Sequence, residues 1–334
     1  MTPSLVFGVA SVGYTASGTA YTFDTAEKVS ELLALLQRLN IKQIDSSAVY
    51  PSGNTWHAET LLGESQAAEK GFIIDSKVLY QPDVPFLDDK GISASIDRTL
   101  ELLGTRKIGT YYAHAPDPNT PLEEQTKAFQ KQYLAGKSEP PGLSNYTVDD
   151  MAKFFDICDE KGYVKPAVYQ GHYTALYRKR EDDGMLALLR KHNCAFFAFS
   201  PLAGGFLTGK VTLASSNSKT LEQTRWETVG GRGTWYSGLF DTPAMHEAIL
   251  VLKAVCDAAS PQLSLQGAVM RWMIHHSTLR CGRAKASFFG AKRLDQLEAN
   301  VADARGDPLE GAVLDAVEGM WASVREKQPS GQKL

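Results

Sequence analysis

Short apolar runs of strand length alternate with segments of helical periodicity along the whole chain, and this alternation decides which folds are open to it. In the first helical segment, Val29, Leu32 and Leu36 recur at helical spacing after a capping-box-like stretch, Asp24-Thr-Ala-Glu27. The other predicted helices lie near 92–103, 147–158, 182–192, 243–258, 264–276, 293–304 and 309–325. The predicted strands are Leu5–Ala10, Ile41–Asp45, Phe72–Val78, Ile108–His114, Gly142–Ser144, Ala167–Gln170, Ala195–Ser200 and Ala286–Gly290.

Eight strands with helices in the crossovers favour an α/β fold of the (β/α)8 TIM barrel type, with long loops on its C-terminal face. A doubly wound sheet is the alternative. No Gly-x-Gly-x-x-Gly follows the first predicted strand, so a Rossmann-type nucleotide site is unsupported. The 334 residues could also form two ordinary domains. Because no linker or composition shift interrupts the pattern, we expect a single barrel domain over residues 1–334.

Two stretches depart from a regular barrel pattern. Pro140-Pro141 stands where the fifth strand should begin, and proline cannot donate to a central strand ladder, so only Gly142–Ser144 is expected to pair. The segment from Val211 to Thr242 is too long for an ordinary connection, which predicts either disorder or a functional lid. Its four aromatic residues argue against simple disorder. They are Trp226, Trp235, Tyr236 and Phe240.

The charge and composition of the chain argue against several classes of partner. The formal net charge is -3 at pH 7, and acidic and basic residues are well mixed. This balance predicts no basic surface for nucleic acid or for an anionic membrane. No apolar stretch reaches transmembrane length, and the first residues lack the basic and apolar regions of a signal peptide. We therefore expect a cytoplasmic protein whose partners are small molecules, with no nucleic acid and no membrane.

The cysteines and the adjacent histidines predict no metal site. Cys158, Cys194, Cys256 and Cys281 are far apart and form no CxxC pattern, which fits a reducing compartment. His275-His276 are neighbours, and neighbours on a helix point about 100° apart. Paired zinc ligands on a helix are instead separated by four positions.

Four residues able to take part in proton transfer follow three consecutive predicted strands. Asp45 and Tyr50 follow Ile41–Ile44, Lys77 ends the next strand, and His114 ends the one after it. Consecutive strands of a βα-repeat protein end on the same face. We therefore expect the carboxylate, the phenol, the ammonium and the imidazole to meet at one rim.

This combination suits protonation of an oxygen on which negative charge develops, such as a carbonyl oxygen receiving a hydride. A tyrosine ordinarily titrates near about 10, and a lysine cation held against the phenol lowers its pKa. Asp45 would keep Lys77 charged and fixed, and His114 would orient the substrate oxygen. Taken singly, Asp45 could cap a helix, Lys77 could be a surface residue, Tyr50 could pack at the core edge and His114 could belong to a turn. Taken together at successive strand ends, the four indicate an enzyme.

The residues resemble the aldo-keto reductase superfamily over nearly the whole chain, in order and at family-like spacing. Tyr169-Gln-Gly-His-Tyr173, Pro201-Leu-Ala-Gly-Gly205 and Arg271-Trp-Met-Ile-His-His276 look most like the aflatoxin-aldehyde reductase branch. The superfamily motifs are Ile44-Asp-Ser-Ser-Ala-Val-Tyr50, Glu59 with Leu61-Leu-Gly63, Ser76-Lys-Val78, His114-Ala-Pro-Asp117, Gly142-Leu-Ser-Asn-Tyr146, Tyr169-Gln170, Ser200-Pro-Leu-Ala-Gly-Gly-Phe-Leu-Thr-Gly-Lys210 and Gly290-Ala-Lys-Arg-Leu-Asp-Gln-Leu-Glu-Ala-Asn300.

The resemblance implies an NADPH-dependent reduction of an aldehyde or ketone to an alcohol, in secondary or detoxifying metabolism. Tyr50 would be the general acid, Lys77 and Asp45 its tuning pair, and His114 the residue that orients the substrate. The resembling branch includes dimers, so a homodimer is one expectation. The residues implied in cofactor binding are Ser144, Asn145 and Gln170 at the nicotinamide carboxamide, Ser200, Leu202, Gly204, Gly205 and Lys210 at the pyrophosphate, and Gly290, Lys292, Arg293, Gln296 and Asn300 at the adenosine end.

The substrate pocket is expected to include His114, Tyr173, Trp226 and Trp235. The branch commonly ends in an aromatic-arginine pair that can reach a substrate carboxylate, whereas this chain ends with residues 327–334 of different composition. Acidic substrates are therefore less well supported. The aromatic residues between 222 and 240 favour a bulkier or flatter apolar substrate, although they could equally serve as lid packing.

Two other functions stay open from the sequence. A cofactor-binding regulatory protein on the same fold, with little turnover, could keep all four residues. A barrel aldolase could use Lys77 as a Schiff-base nucleophile. A lysine beside a carboxylate stays protonated, which suits tuning of a tyrosine better than imine formation.

Overall fold

Eight parallel strands close into a barrel in which each strand pairs with its neighbour in the chain and the last strand pairs with the first. The computed structural model describes residues 3–14, 22–214, 226, 232–280 and 286–327. This architecture confirms the (β/α)8 prediction over the doubly wound sheet. The strands are β1 Ser4–Gly8, β2 Gln43–Asp45, β3 Ile73–Lys77, β4 Tyr111–Ala113, β5 Gly142–Ser144, β6 Val168–His172, β7 Ala195–Phe199 and β8 Ala286–Phe289.

Helices fill the crossovers, and most of them lie where apolar periodicity predicts them. The region near 182–192 is divided by Gly184, which has a φ of 87°, into two short helices. The helices are α1 Ala26–Arg38, α2 His57–Glu64, α3 Asp89–Leu103, α4 Leu122–Leu134, α5 Val148–Lys161, α6 Lys179–Asp182, α7 Met185–Lys191, α8 Lys210–Leu213, α9 Arg232–Phe240, α10 Pro243–Ala258, α11 Leu265–His275, α12 Leu294–Ala304 and α13 Gly311–Val324.

The helices α2 and α4 are not evident from sequence periodicity. α2 has only eight residues, and Trp56 at its N-cap makes no side-chain capping bond. In α4 the buried positions include Gln125, Thr126 and Gln132. Because Gln125 donates to the backbone oxygen of Thr120 at 2.7 Å, a polar side chain can occupy the core face. Buried polar residues of this kind interrupt the apolar periodicity by which a helix is predicted from sequence.

The fifth strand is as short as the paired prolines predict. Gly142 pairs with Tyr112 of β4 and with Val168 of β6, so the strand is central despite its length. Pro141 stands before the strand, and its carbonyl oxygen accepts from the backbone N–H of Ala167 at 2.9 Å. The proline is therefore used only as an acceptor, which needs no N–H.

The interior of the barrel is packed. Val6, Tyr112, Val168, Ala195 and Phe197 form one buried cluster, although their strands β1, β4, β6 and β7 are not all neighbours. Such side chains can meet only across the centre of the barrel, as in other (β/α)8 proteins. The larger apolar core lies between the strands and the surrounding helices.

The long segment after β7 contains ordered structure, as its aromatic residues indicate. A 3-10 turn spans Ala203–Thr208, followed by the short helix α8, and α9 precedes α10. Residues 215–225 and 227–231 of this segment lie outside the described residues, as do Cys281 and the C-terminal residues 328–334. Within the described ranges, every helix is too short or too polar to cross a membrane.

Candidate active site

The four predicted catalytic residues meet at the carboxyl ends of neighbouring strands. Asp45 is the last residue of β2 and Lys77 is the last residue of β3. His114 directly follows β4, and Tyr50 lies in the loop after β2. The shared rim of a parallel barrel thus carries the carboxylate, the ammonium, the imidazole and the phenol, as the spacing of the predicted strands implies.

Asp45 and Lys77 form a buried ion pair inside the barrel mouth. The Lys77 Nζ atom donates to Asp45 Oδ1 at 2.7 Å, to Asp45 Oδ2 at 2.8 Å and to the Ser46 carbonyl oxygen at 2.7 Å. The lysine side chain is 0% exposed. Burial by itself lowers the pKa of Lys77, but the charge of Asp45, with smaller contributions that include its hydrogen bond, more than offsets this and raises the pKa. Lys77 is therefore a fixed cation.

Tyr50 and His114 lie against this cation. The Lys77 Nζ atom is 4.9 Å from the centroid of the Tyr50 ring. The rings of Tyr50 and His114 stand edge to face, with centroids 5.9 Å apart. A positive charge next to the phenol stabilises negative charge that develops on its oxygen. The arrangement can therefore support loss of the phenol proton to a neighbouring acceptor.

His114 is a neutral imidazole whose orientation is set by Ser47. Loss of solvation, and then the charge of Lys77, lower the pKa of His114 to about 3. The His114 Nδ1 atom is 3.1 Å from the Ser47 hydroxyl oxygen, which also accepts from the backbone N–H of Val49 at 3.4 Å. With that bond made, the Ser47 hydroxyl can donate to Nδ1. A neutral ring then carries its proton on Nε2, from which it can donate to a substrate oxygen.

Asp75 is a second carboxyl inside the barrel that sequence reasoning missed. It is the register partner of Asp45, accepts from Gln43 Nε2 at 2.7 Å and from the backbone N–H of Thr110 at 2.8 Å. Burial, and then the charge of Asp45, raise the pKa of Asp75 to about 7. Strand alternation could have indicated it, because Asp75 lies two residues before Lys77 and so on the same strand face.

Ser144, Asn145 and Gln170 come together beside the predicted catalytic residues. Ser144 is the last residue of β5, and its register partner is Gln170 in the middle of β6. The Asn145 side-chain nitrogen donates to the His114 carbonyl oxygen at 3.0 Å, and Gln170 Nε2 donates to Asp45 Oδ1 at 2.9 Å. Each bond uses one of the two N–H groups of a side-chain amide, so both amides keep an N–H donor and a carbonyl oxygen for a bound amide, and the Ser144 hydroxyl can also donate.

The Ser200–Lys210 segment makes a sharp turn at the ends of β7. The φ angles of Ser200, Ala203, Gly204 and Gly205 are 54°, 52°, 66° and 101°. Left-handed backbone is uncommon for serine and alanine, and clusters of this kind occur at ligand-binding turns. A Cβ atom on Gly205 would meet no described atom within 4 Å, so the backbone there is open to a bound group. Leu202 lies in this turn, and exposed Lys210 begins α8.

The Gly290–Asn300 segment follows β8 and leads into α12. A Cβ atom placed on Gly290 would lie 3.5 Å from the Gly8 carbonyl oxygen. Because both residues are glycines, the backbone carries no side chain where β8 and β1 end. Arg293 is exposed and binds Asp295 through two bonds of 2.9 and 2.8 Å. Lys292 is partly buried.

Gln296 and Asn300 brace this segment from within. The Gln296 side-chain oxygen accepts from the backbone N–H of Lys292 at 3.0 Å. Asn300 is 1% exposed and donates to the Gly290 carbonyl oxygen at 3.3 Å, while it accepts from Gln266 at 2.9 Å. The structure thus shows both side chains holding the turn in shape, and Asn300 has almost no surface to offer a ligand.

The three aromatic residues predicted for the substrate pocket lie in different places. Tyr173 is 0% exposed, stacks on Trp272 and donates to a Glu181 carboxylate oxygen, so it faces the helices outside the barrel and has no surface for a substrate. Trp226 is 7% exposed, and its Nε1 donates to the Gly204 carbonyl oxygen at 3.2 Å. Trp235 is partly exposed and packs near the end of β6.

Two rings at the barrel mouth were not predicted. Phe199 ends β7 and is half-buried, and His172 ends β6 as its register partner. Strand alternation could have indicated His172, because it follows Gln170 by two residues and shares its face. Tyr173, the next residue along the chain, was predicted instead.

Possible metal-ligating side chains are dispersed over the described residues. Among them, no group of three or more histidine, cysteine or acidic residues is placed to hold a metal ion. Cys158, Cys194 and Cys256 are buried free cysteines. Burial raises the pKa of the Cys158 thiol to about 12, which leaves it unreactive.

The chain is thus a closed (β/α)8 barrel with a tyrosine, a buried lysine–aspartate pair and a neutral histidine at its carboxyl rim, an arrangement suited to protonation of a carbonyl oxygen. The family model described as "Aldo/keto reductase family" matches residues 4–321 of this chain. The chain belongs to this family, and its place among the oxidoreductases follows.

Proteins named as aflatoxin B1 aldehyde reductases are among the relatives that the chain resembles. Human "Aldo-keto reductase family 7 member A3" is 32% identical over 302 residues, which cover 86% of this chain and 87% of that protein. Rat "Aflatoxin B1 aldehyde reductase member 2" is 31% identical over 322 residues, covering 92% and 83% of the two chains. "Oxidoreductase sirO" of Leptosphaeria maculans is 30% identical over 331 residues, covering 98% and 96%.

Proposed function

We propose that this chain reduces an aldehyde or ketone to an alcohol with NADPH, and that Tyr50 supplies the proton. The observation that carries the proposal is the Tyr50 ring held against the buried Lys77–Asp45 pair, with neutral His114 beside it. The relatives named as aflatoxin B1 aldehyde reductases support an aldehyde substrate and a role in secondary or detoxifying metabolism.

Each of the four rim residues has a different part in the proton transfer. His114 donates from Nε2 to the carbonyl oxygen and so orients the substrate. As negative charge develops on that oxygen, the Tyr50 hydroxyl transfers its proton to it, and the C=O group becomes CH–OH. The fixed charge of Lys77 stabilises the phenolate that remains. Asp45 holds Lys77 in place and keeps it charged.

The cofactor proposal rests on two features of the rim. The left-handed turn at Ser200–Gly205 and the side-chain-free ends of β1 and β8 leave backbone open to a long dinucleotide. Ser144, Asn145 and Gln170 would hold the nicotinamide carboxamide, and Lys292 and Arg293 would attract the 2′-phosphate that distinguishes NADPH from NADH. When bound, the nicotinamide supplies the hydride.

Replacing Tyr50 tests the proposal directly. In Tyr50→Phe the proton donor is lost while the ring remains, so we expect kcat for aldehyde reduction to fall by about 10² to 10⁴. The dissociation constant for NADPH, measured by fluorescence titration, should be unchanged. Tyr133→Phe, on the outer helix α4, is the matched control and should keep wild-type kcat.

Two outcomes would contradict the proposal. Activity of Tyr50→Phe close to that of the wild type would show that Tyr50 is not the proton donor. NADPH binding by the wild-type protein without NADPH consumption, over a broad panel of aldehydes, would favour the cofactor-binding regulatory protein instead.

A further inference from the structure

His172 points into the mouth of the barrel rather than toward the outer helices. On β6, Val168 belongs to the interior cluster and Gln170 donates to Asp45, so alternate residues of this strand face inward. His172 is next in this series. Tyr173 lies on the other face and stacks on Trp272 of α11. The imidazole therefore lies one inward position beyond Gln170, toward the rim that carries the catalytic group.

Four aromatic rings enclose the imidazole. His172 is stacked between Tyr177, at a centroid distance of 4.7 Å, and Phe199, at 5.2 Å. Trp235 and Phe240 of α9 complete the enclosure at 5.6 and 5.7 Å. We call these four rings with His172 the aromatic box. Its walls suit a flat, apolar group.

The His172 imidazole brings two polar atoms into the aromatic box. Both ring nitrogens of His172 are buried without a hydrogen-bond partner among the described residues, and the residue is 1% exposed. Native proteins pair almost all buried polar groups, so an unpaired buried imidazole calls for an explanation. Burial, followed by the charge of Arg180, lowers the pKa of His172 to about 3. The ring is thus neutral, with one N–H donor and one acceptor nitrogen.

A hydroxyl group on an aromatic ring matches both properties of the box. The hydroxyl can donate to one imidazole nitrogen or accept from the other, and its ring can pack against Phe199 and Trp235. We propose that His172 binds a hydroxyl of an aromatic carbonyl substrate and selects for hydroxylated aromatic aldehydes or ketones. This inference rests on the proposed carbonyl reduction and specifies its substrate class.

Phe199 and Trp235 form the side of the box from which a substrate would reach His172. Phe199 and Trp235 are half-buried, whereas Tyr177 and Phe240 are buried, so the first two are the rings that an entering substrate would meet. Trp235 belongs to α9, whose Tyr236 is tied to Ser200 of the β7 turn by a 3.1 Å hydroxyl contact. Rotation of the Trp235 side chain would open this side of the box without a shift of the barrel strands. Rotamer changes of this size are common on binding.

The test compares matched substrates in matched variants. Benzaldehydes and naphthaldehydes carrying a hydroxyl at each ring position are compared with the methyl analogues, which have nearly the same size. In the wild type, kcat/KM should favour the hydroxyl compound at one or more positions. In His172→Phe, which keeps a ring but removes both nitrogens, this ratio should fall about tenfold, as expected for one lost hydrogen bond.

Tyr173→Phe is the control, because it alters the neighbouring residue on the outer face and should keep the wild-type ratio. His172→Gln keeps a donor and an acceptor and should keep part of the preference. His172→Met is measured in the same way if the phenylalanine variant does not fold.

Three results separate this inference from its alternatives. An unchanged hydroxyl-to-methyl ratio in His172→Phe at every ring position overturns it. A loss of NADPH affinity with an unchanged ratio also overturns it and assigns His172 to the cofactor. If the wild type reduces no aldehyde, the proposed function fails by itself. Calorimetric binding of the hydroxyl and methyl compounds to wild type and His172→Phe then decides the role of His172.

Discussion

At the scale of single residues, the surroundings of a side chain decide its role more than its chemical type does. Three carboxyl groups lie near Lys77. Asp45 is bound to the lysine by two hydrogen bonds. Asp75 and Glu59 are buried away from such contact, and burial raises the pKa of each to about 7. Asp45 is paired with the Lys77 cation. Asp75 and Glu59 instead take up a proton at a higher pH than exposed carboxyl groups do, so they need no cation beside them.

The bond from Ser47 to His114 leads to a test at this scale. Ser47→Ala removes the contact with Nδ1, so the proton is no longer directed to Nε2 and the ring loses part of its orientation. We expect kcat/KM for aldehydes to fall about tenfold, the usual size of one hydrogen bond. Steady-state kinetics at neutral pH measures the change.

Ser46→Ala is the matched control for this test. The Ser46 hydroxyl is buried without a hydrogen-bond partner in the described part of the chain, and its backbone carbonyl, which binds Lys77, is kept in alanine. Equal losses in the two variants would mean that the Ser47 bond does not orient His114.

At the scale of helices and strands, close packing behind the site depends on a few small residues. Gly63 in α2 faces α3, and a Cβ atom placed on it would lie 1.8 Å from the Leu102 carbonyl oxygen. The same helix carries Glu59, which accepts from Ser76 of β3 and, at 3.2 Å, from Thr99 of α3. The approach of α2 to α3 therefore helps to hold the strand that ends in Lys77.

Gly63→Ala should weaken this packing. Because the new methyl group meets backbone that cannot move aside locally, we expect the free energy of unfolding to fall by about 1–3 kcal/mol. Urea unfolding followed by circular dichroism measures the change. Gly319→Ala is the control, since Gly319 lies exposed in α13 and a Cβ there meets no described atom within 4 Å.

The control should gain stability, by about 1 kcal/mol or less, because alanine favours helix more than glycine does. A gain of similar size in both variants would show that α2 and α3 do not need the glycine.

At the scale of the whole molecule, closing the barrel buries acidic groups that the unfolded chain exposes to water. Glu59 is 0% exposed, and desolvation raises its pKa from 4.5 to about 7. Between these pH values the folded protein therefore holds more protons than the unfolded chain. The free energy of unfolding falls as the pH rises through this window, and above it Glu59 contributes no further change with pH.

Glu59→Gln should remove this pH dependence. An amide can still accept from Ser76 but does not ionise, so the stability of the wild type relative to the variant should fall by about 2–3 kcal/mol from pH 4.5 to pH 8. Parallel urea titrations of both proteins give this difference, in which contributions from other groups largely cancel. A difference that stays constant over the range would mean that Glu59 ionises in the folded protein as it does in the unfolded chain.

Sequence periodicity predicted the eight strands and most of the helices, because apolar spacing reflects local geometry that needs no knowledge of the rest of the chain. The meeting of the four predicted rim residues was predictable for a related reason, since parallel strands have their carboxyl ends at one rim. α4 was missed because its core face carries buried polar residues such as Gln125. The roles of Asn300 and Tyr173 were not predictable from motifs, which do not show that one braces a turn and the other faces away from the barrel mouth.

The sequence by itself therefore determined the order of elements, the family and the position of Asp45, Tyr50, Lys77 and His114 at the rim. Only the tertiary structure decided which buried groups are paired, such as Gln170 with Asp45 across 125 positions of the chain. It also decided that His172 is enclosed by aromatic rings from three separate parts of the chain. The physical reason is that periodicity records local geometry, whereas burial and hydrogen-bond pairing depend on which distant segments meet when the barrel closes.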